Sequence, residues 1–377
     1  MIKLKSVKFA LVHVTKHTTW HFAVVKDIEN YSTVVEFTKG KSSPSVALLL
    51  SQMIERLIDK EIKDESVVEG LLGTDSTRDG RTDTAAALSA LRTAVTQLQA
   101  LQNNLPLSEL LGGRINKSIE VYANINRGLL STERTPQDFY IAAAKAISRG
   151  FKIVKCAPFD EVSPKDDPAK VLELSRIGID RVRAVRSAIG DKVKLLIDCH
   201  SRFDSRTAVT ICEELSMYSI DWFEEPLEPQ ENPIALRNVA SSISVPVAGG
   251  ESGYGESFFK EIMSIGAVDI VMPDVKYCGG VLEAVRIGYC AARLQKKFSL
   301  HSPTGPVSLL ASAQATSVLH DALALEHAID EVPWRHELIT PIEIIEGVVM
   351  NIPQGVGLGC ELNWDVVSKR GEIYDVC

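Results

Sequence analysis

Six ionisable residues, Asp198, Glu224, Glu251, Asp274, His301 and Glu326, recur along the chain 26, 27, 23, 27 and 25 residues apart. Short apolar runs of strand type precede them, such as Lys194-Leu195-Leu196-Ile197 before Asp198 and Ile220-Asp221-Trp222-Phe223 before Glu224. A charge that closes a buried parallel strand is rarely there for packing. One polar group per strand-and-helix unit fits an α/β barrel, which uses roughly 30 residues per unit and gathers its chemistry at the C-terminal ends of its strands.

The rest of the chain is compatible with that reading. With 377 residues, 45% of them hydrophobic, there is enough chain for a sizeable core and for two domains. A net charge of −8 and a pI near 5.6, with no basic stripe, argue against nucleic acid as a partner. Met1-Ile2-Lys3-Leu4-Lys5 lacks the apolar core of a signal peptide, and no apolar run reaches membrane-spanning length, so the expected location is the cytoplasm, with no membrane partner. Seven scattered cysteines without CxxC pairs point to reduced thiols rather than a disulfide framework or a zinc site.

Three segments follow from the patterning. Residues 3–13, 20–27 and 32–38 read as an antiparallel meander, followed by helices from Pro44 to Ile62 and from a cap at Asp83 or Thr84 to about Gln102. From Ile119 the signals alternate between strand and helix, the mark of parallel α/β architecture. The expected division is an α+β capping domain over 1–117, a barrel over 118–329, and a segment over 330–377 that packs back on the cap.

Asp198, Glu224 and Glu251 offer three hard oxygen donors at consecutive strand ends, a set suited to Mg²⁺ with room left for substrate. Together with their flanks, Ile197-Asp198-Cys199-His200, Trp222-Phe223-Glu224-Glu225-Pro226, Gly249-Gly250-Glu251-Ser252, Met272-Pro273-Asp274 and His301-Ser302-Pro303 resemble the enolase superfamily, mandelate racemase subgroup (the mandelate racemase/muconate lactonizing enzyme family), and within it the acid-sugar dehydratases. The resemblance implies a modified (β/α)8 barrel, (β/α)7β, under an N-terminal α+β cap, and a homo-oligomer. It makes Asp198, Glu224 and Glu251 the metal ligands, with a Lys or His base and Mg²⁺ stabilising an ene-diolate. Glu225, beside Glu224, is expected to support the ligands or pair with a cation.

The same resemblance makes Asp274 and His301 an orienting carboxylate and general base, and Glu326 a carboxylic acid that meets the substrate carboxylate. Racemases of the subgroup end the second strand in Lys-x-Lys; here Lys155-Cys156-Ala157 keeps the first lysine, which assists the substrate carboxylate, and loses the opposing base. Whether Lys155 could itself be a base is left open. His200, two residues from Asp198, is expected to point inward with it by strand alternation, as an extra ligand, a structural bond donor or a general acid; the resemblance to the dehydratases makes it the acid for a departing hydroxyl. Arg202 and the polar loop residues Trp20 and His21 are candidates for substrate contact, as is the polar loop 72–81. The expected function is therefore a Mg²⁺-dependent dehydratase (a hydro-lyase) acting on an aldonate or aldarate, with a racemase, epimerase or cycloisomerase, or a non-catalytic metal-binding descendant, as alternatives.

Overall fold

The structure is a computed structural model and describes residues 1–73 and 80–376. Most of the loop 72–81 singled out above therefore lies outside the described residues.

Strands β1 (Leu4–His13), β2 (Thr19–Asp27) and β3 (Ser32–Glu36) form the antiparallel meander expected from their β-branched and aromatic content. Helices Ser43–Leu57 and Asp83–Gln102 pack on it through Val46, Leu50, Ile54, Leu88, Leu91 and Val95. The second helix starts one residue earlier than the sequence signal indicated: Thr82 is the cap, its hydroxyl accepting from the Ala85 amide at 3.0 Å. The edge of the sheet beside β1 is filled by Gly371–Tyr374, paired antiparallel with Phe9 to Val12. Val349–Asn351 pairs instead with the first barrel strand, which ties that segment to both parts.

Eight parallel strands follow: β4 (Ser118–Asn124), β5 (Ile153–Cys156), β6 (Lys194–Asp198), β7 (Trp222–Glu224), β8 (Val247–Gly249), β9 (Ile270–Val271), β10 (Lys297–Phe298) and β11 (Leu325–Ala328). They close when β11 pairs with β4. Helices follow each of the first seven strands, Pro136–Ser148 through Pro306–Thr316; after β11 the chain runs into the tail. This is the (β/α)7β barrel the resemblance implied. The helix starts are written locally, as where Asp167 accepts from the Ala169 and Lys170 amides beside Pro168 in the first turn.

Alternation along the strands builds the barrel interior in layers. Tyr122, Leu196, Trp222, Ala248, Ile270 and Met272 form an inner apolar cluster, with Ile153 and Ala324 packed against it. Two residues further on, the same faces carry Asn124, Lys155, Asp198, Glu224, Asp274 and Glu326. The polar layer sits on the apolar one because the pleat has a period of two. The cap rests over this end: at Gly280, whose φ is +95°, a Cβ would meet the Thr93 hydroxyl at 2.9 Å, so the cap helix can approach only a glycine. Arg92 on that helix completes the seam, bonding Glu65, Glu69 and, at 3.0 Å, Glu283 of the barrel.

Candidate active site

A cavity of about 840 Å³ opens between cap and barrel. Its floor carries Asp198, His200, Glu251 and His301; Asn124, Ala157 and Lys276 line it from the barrel, and Lys16 to Thr19, His21 and Thr38 to Lys41 from the cap. The volume lies in the range of small-molecule sites.

His301 is held at both nitrogens. Nδ1 lies 2.8 Å from Asp274 Oδ2 and Nε2 lies 3.0 Å from Glu251 Oε2. Burial alone would lower its pKa, but the carboxylates of Glu251, Glu326 and Asp274 outweigh it and raise the pKa to about 9. Asp274 is fixed in turn by Lys276, whose amide donates to Oδ1 at 2.8 Å and whose Nζ donates to Oδ2 at 2.6 Å. Burial works to raise Asp274, yet Lys276 and His301 hold it below the usual carboxylate range.

His200 reaches Asp198 by a route different from the expected alternation. Strand β6 stops at Asp198; His200 and Ser201 then take φ of +48° and +55°, and this left-handed turn brings His200 Nε2 back to 2.9 Å from Asp198 Oδ2. The imidazole remains 45% exposed to the cavity. The Asp198 charge raises its pKa to about 9, so it carries a proton at neutral pH.

Lys155 and Glu326 are not on the cavity wall, contrary to the expectation that both meet the substrate. Lys155 is wholly buried, with Nζ 2.8 Å from Glu224 Oε1, 2.7 Å from Glu326 Oε1 and 3.9 Å from Asp198 Oδ2. A buried ammonium survives only when paired, and these carboxylates more than offset its desolvation, raising its pKa well above the ordinary value. An ammonium held this way is a poor base. Glu326 also accepts from Asn124 Nδ2 at 2.6 Å and from the Ser302 amide at 2.9 Å. Burial pushes Glu326 up, but Lys155 and His301 bring it below its usual value.

The three expected metal ligands each face a different cation: Asp198 faces His200, Glu224 faces Lys155 and Glu251 faces His301. Among the described residues they do not converge into a ready ligand cluster. Their donor chemistry nevertheless fits a hard divalent cation. Burial, with Asp198, Glu326 and Glu251 nearby, raises Glu224 to about 8 despite Lys155, which marks a floor short of positive charge. Glu225 pairs with no cation among the described residues; its carboxylate accepts from the Gly250 and Glu251 amides at 2.8 and 3.1 Å and so sets the backbone that carries Glu251.

Of the substrate-contact candidates, His21 lines the cavity, its Nδ1 3.3 Å from the Tyr374 hydroxyl. Trp20 and Arg202 do not line it. Trp20 is fully buried against Trp334, with the Arg335 guanidinium over its ring. Arg202 donates to the Asp160 and Val162 carbonyls at 2.9 and 2.8 Å, which fixes that loop instead. Two residues were overlooked although the sequence carried a signal. Asn124 closes the first barrel strand as Asp198 closes the third, and Lys276 lies two residues beyond Asp274, within reach of it across the turn that follows.

A barrel with this polar layer, closed by a cap, defines a class, and the comparisons agree on it. The family described as Enolase C-terminal domain-like matches residues 139–366, and the chain belongs to it, within the mandelate racemase group of the enolase superfamily. Among its relatives is the D-gluconate dehydratase of Thermoproteus tenax, 32% identical over 289 residues that make up 76% of this chain and 56% of that enzyme. The chain thus spans little more than half the length of that relative. The D-gluconate/D-galactonate dehydratase of Picrophilus torridus is 30% identical over 301 residues, 78% of this chain and 72% of the relative. The solved mandelate racemase/muconate lactonizing enzyme from a Sulfitobacter species has the same fold, with a TM-score of 0.85 at 21% identity, covering 98% of this chain and 96% of that one.

Proposed function

We propose that this protein is a Mg²⁺-dependent acid-sugar dehydratase that removes the proton α to a carboxylate and expels the β-hydroxyl as water, leaving a 2-keto-3-deoxy acid. The observation that carries the reading is the pairing of two differently held imidazoles on one cavity floor, His301 clamped by Asp274 and His200 by Asp198, with Ala157 where a second base would stand. Relatives named as gluconate, xylonate and arabinonate dehydratases support it. So does the volume of the cavity, which accommodates a polyhydroxy acid.

Asp198, Glu224 and Glu251 would hold the metal, whose charge stabilises the enediolate formed from the substrate carboxylate. A cation held there would also compete with His301 for Glu251 and so favour the neutral imidazole that a base requires. His301 Nε2 then takes the α-proton while Asp274 keeps Nδ1 protonated and the ring in place. The electron pair of the C–H bond becomes the new C=C bond, the β C–O bond breaks, and His200 gives its proton to the leaving hydroxyl. Ketonisation of the enol completes the balance of substrate to keto acid plus water. Lys155 and Glu326 lie beneath the floor and position Glu224 and the His301 loop.

Substitution of each imidazole separates the two proton transfers. With Mg²⁺ and a panel of acid sugars, His301→Asn is expected to lower both 2-keto acid formation and exchange of the α-proton by about 10²–10⁴-fold. His200→Asn is expected to stop dehydration while exchange persists. Turnover retained in His301→Asn would remove His301 from the role of base, and loss of exchange in His200→Asn at unchanged metal occupancy would remove His200 from the role of acid.

A further inference from the structure

The wall of the cavity carries more positive charge than its own acids balance. Each acid on the wall is matched: Asp160 by Arg134, Asp198 by His200 and Glu251 by His301. Lys39, Arg81 and Lys276 are matched as well, by Asp83, Glu231 and Asp274. Three cations remain on the wall. Lys16 comes from the turn between β1 and β2, Lys41 from the segment before the first cap helix, and Arg127 from the turn that follows β4. Among the described residues, none of the three side chains makes a hydrogen bond or an ion pair.

Arg127 is the most informative of them. It is half-buried, and a guanidinium kept partly from water without a partner is costly unless a ligand supplies one. Glu331 lies near it, but among the described residues no ion pair joins the two. A guanidinium presents a planar fork that matches a carboxylate or a phosphate in two parallel bonds.

We infer that Arg127, with Lys16 and Lys41 lining the same cavity, receives a second anionic group of the substrate, so that the preferred acid sugars are charged at both ends. The reading rests on the dehydratase proposal: one carboxylate goes to the floor, and the opposite end, a second carboxylate or a phosphate ester, goes to Arg127. Arg127 then selects doubly charged substrates over mono-acids of the same configuration.

The test compares kcat/KM with Mg²⁺ on three matched sets: aldonates, aldarates, and aldonates phosphorylated at the terminal carbon. A doubly charged set is expected to lead the mono-acids by about ten-fold or more, the scale of one or two charge-assisted hydrogen bonds, and whichever set leads identifies the group. Arg127→Met should lower kcat/KM for the leading set by a larger factor than for the mono-acids, chiefly through KM, and Arg127→Lys should restore part of the loss. Preference for mono-acids, or an equal loss on all sets in Arg127→Met, overturns the inference. If no set is turned over, the dehydratase reading fails, and calorimetric binding of aldarates and phosphoaldonates to the His301→Asn protein decides this one separately. Binding that Arg127→Met weakens by about ten-fold or more upholds the anion site, and binding that is absent or unaffected by it overturns the site.

Discussion

Along β2 the side chains of Trp20 and His21 leave opposite faces of the sheet. Trp20 shares its face with Phe22, both fully buried, and stands opposite Val12; His21 lines the cavity. Truncating Trp20 to alanine should therefore act on stability, lowering the free energy of unfolding by about 3–5 kcal/mol in urea titrations while KM for the folded fraction stays close to wild type. A change in KM without loss of stability would return Trp20 to the cavity. The distinction is legible in Trp20 and Phe22 at strand spacing, which the reading of Trp20 and His21 as loop residues passes over. Arg202 shows the opposite limit. Nothing in Ser201-Arg202-Phe203 reveals that its partners are carbonyls 40 and 42 residues earlier, because that contact exists only after the barrel closes. The ion-paired residues at the floor were legible by rhythm, whereas the burial of Lys155 between Glu224 and Glu326 was not, since it depends on which neighbouring strands converge.

Between elements, the most consequential contact is made by Glu36 at the end of β3. Its carboxylate accepts from the Gly305 and Ser308 amides at 2.8 and 3.0 Å, satisfying free N–H groups at the start of helix Pro306–Thr316 from another domain. That helix begins at the end of the loop that opens with His301. At Gly305 a Cβ would come within 2.6 Å of Glu36 Oε2, so this closeness requires glycine. Glu36→Ala leaves two buried donors without an acceptor and should cost about 1–3 kcal/mol of stability, with a fall in kcat because the His301 loop loses its anchor. Glu36→Gln keeps an acceptor oxygen and should recover part of both, and an unchanged kcat in Glu36→Ala would show that the loop is held without the cap. The regular elements were open to sequence reading, as helix Pro168–Ile189 shows with its Asp167 cap and its stop at Gly190. Glu36 was not, because a cap supplied from another domain has no local signature. The short strands Val349–Asn351 and Gly371–Tyr374 escaped for a similar reason: their few residues carry no period, and their pairing with residues 118–120 and with residues 9–12 joins segments distant in the sequence.

Across the whole molecule, the histidines divide into two groups with opposite effects on folding. His21 joins the cap to the C-terminal strand through Tyr374, and burial with His13 nearby lowers its pKa from 6.5 to about 4. His327, on β11 in the barrel wall, is held well below its ordinary value by burial and by Arg335 and Arg149. Both must be neutral in the folded state, so their contribution is complete above about pH 6.5 and is lost as pH falls through that value toward 4. For His21 the shift corresponds to about 3 kcal/mol. His200 and His301 work in the other sense. Their pKa values are raised to about 9 by carboxylate partners, so what they add is complete below about pH 6.5 and is lost as pH rises through 9. The histidine contribution to the stability of the metal-free protein is therefore expected to be greatest near pH 6.5 and to fall on both sides, read as the change in urea midpoint that substitution of each histidine makes. The limbs should respond to different substitutions: His21→Asn makes the acid side shallower, His327 carrying the remainder, and leaves the alkaline side in place, and His301→Asn makes the alkaline side shallower, His200 carrying the remainder. A single substitution that flattened both limbs would mean that the cap and the barrel do not hold their histidines independently, contrary to the separate environments that surround His21 and His301.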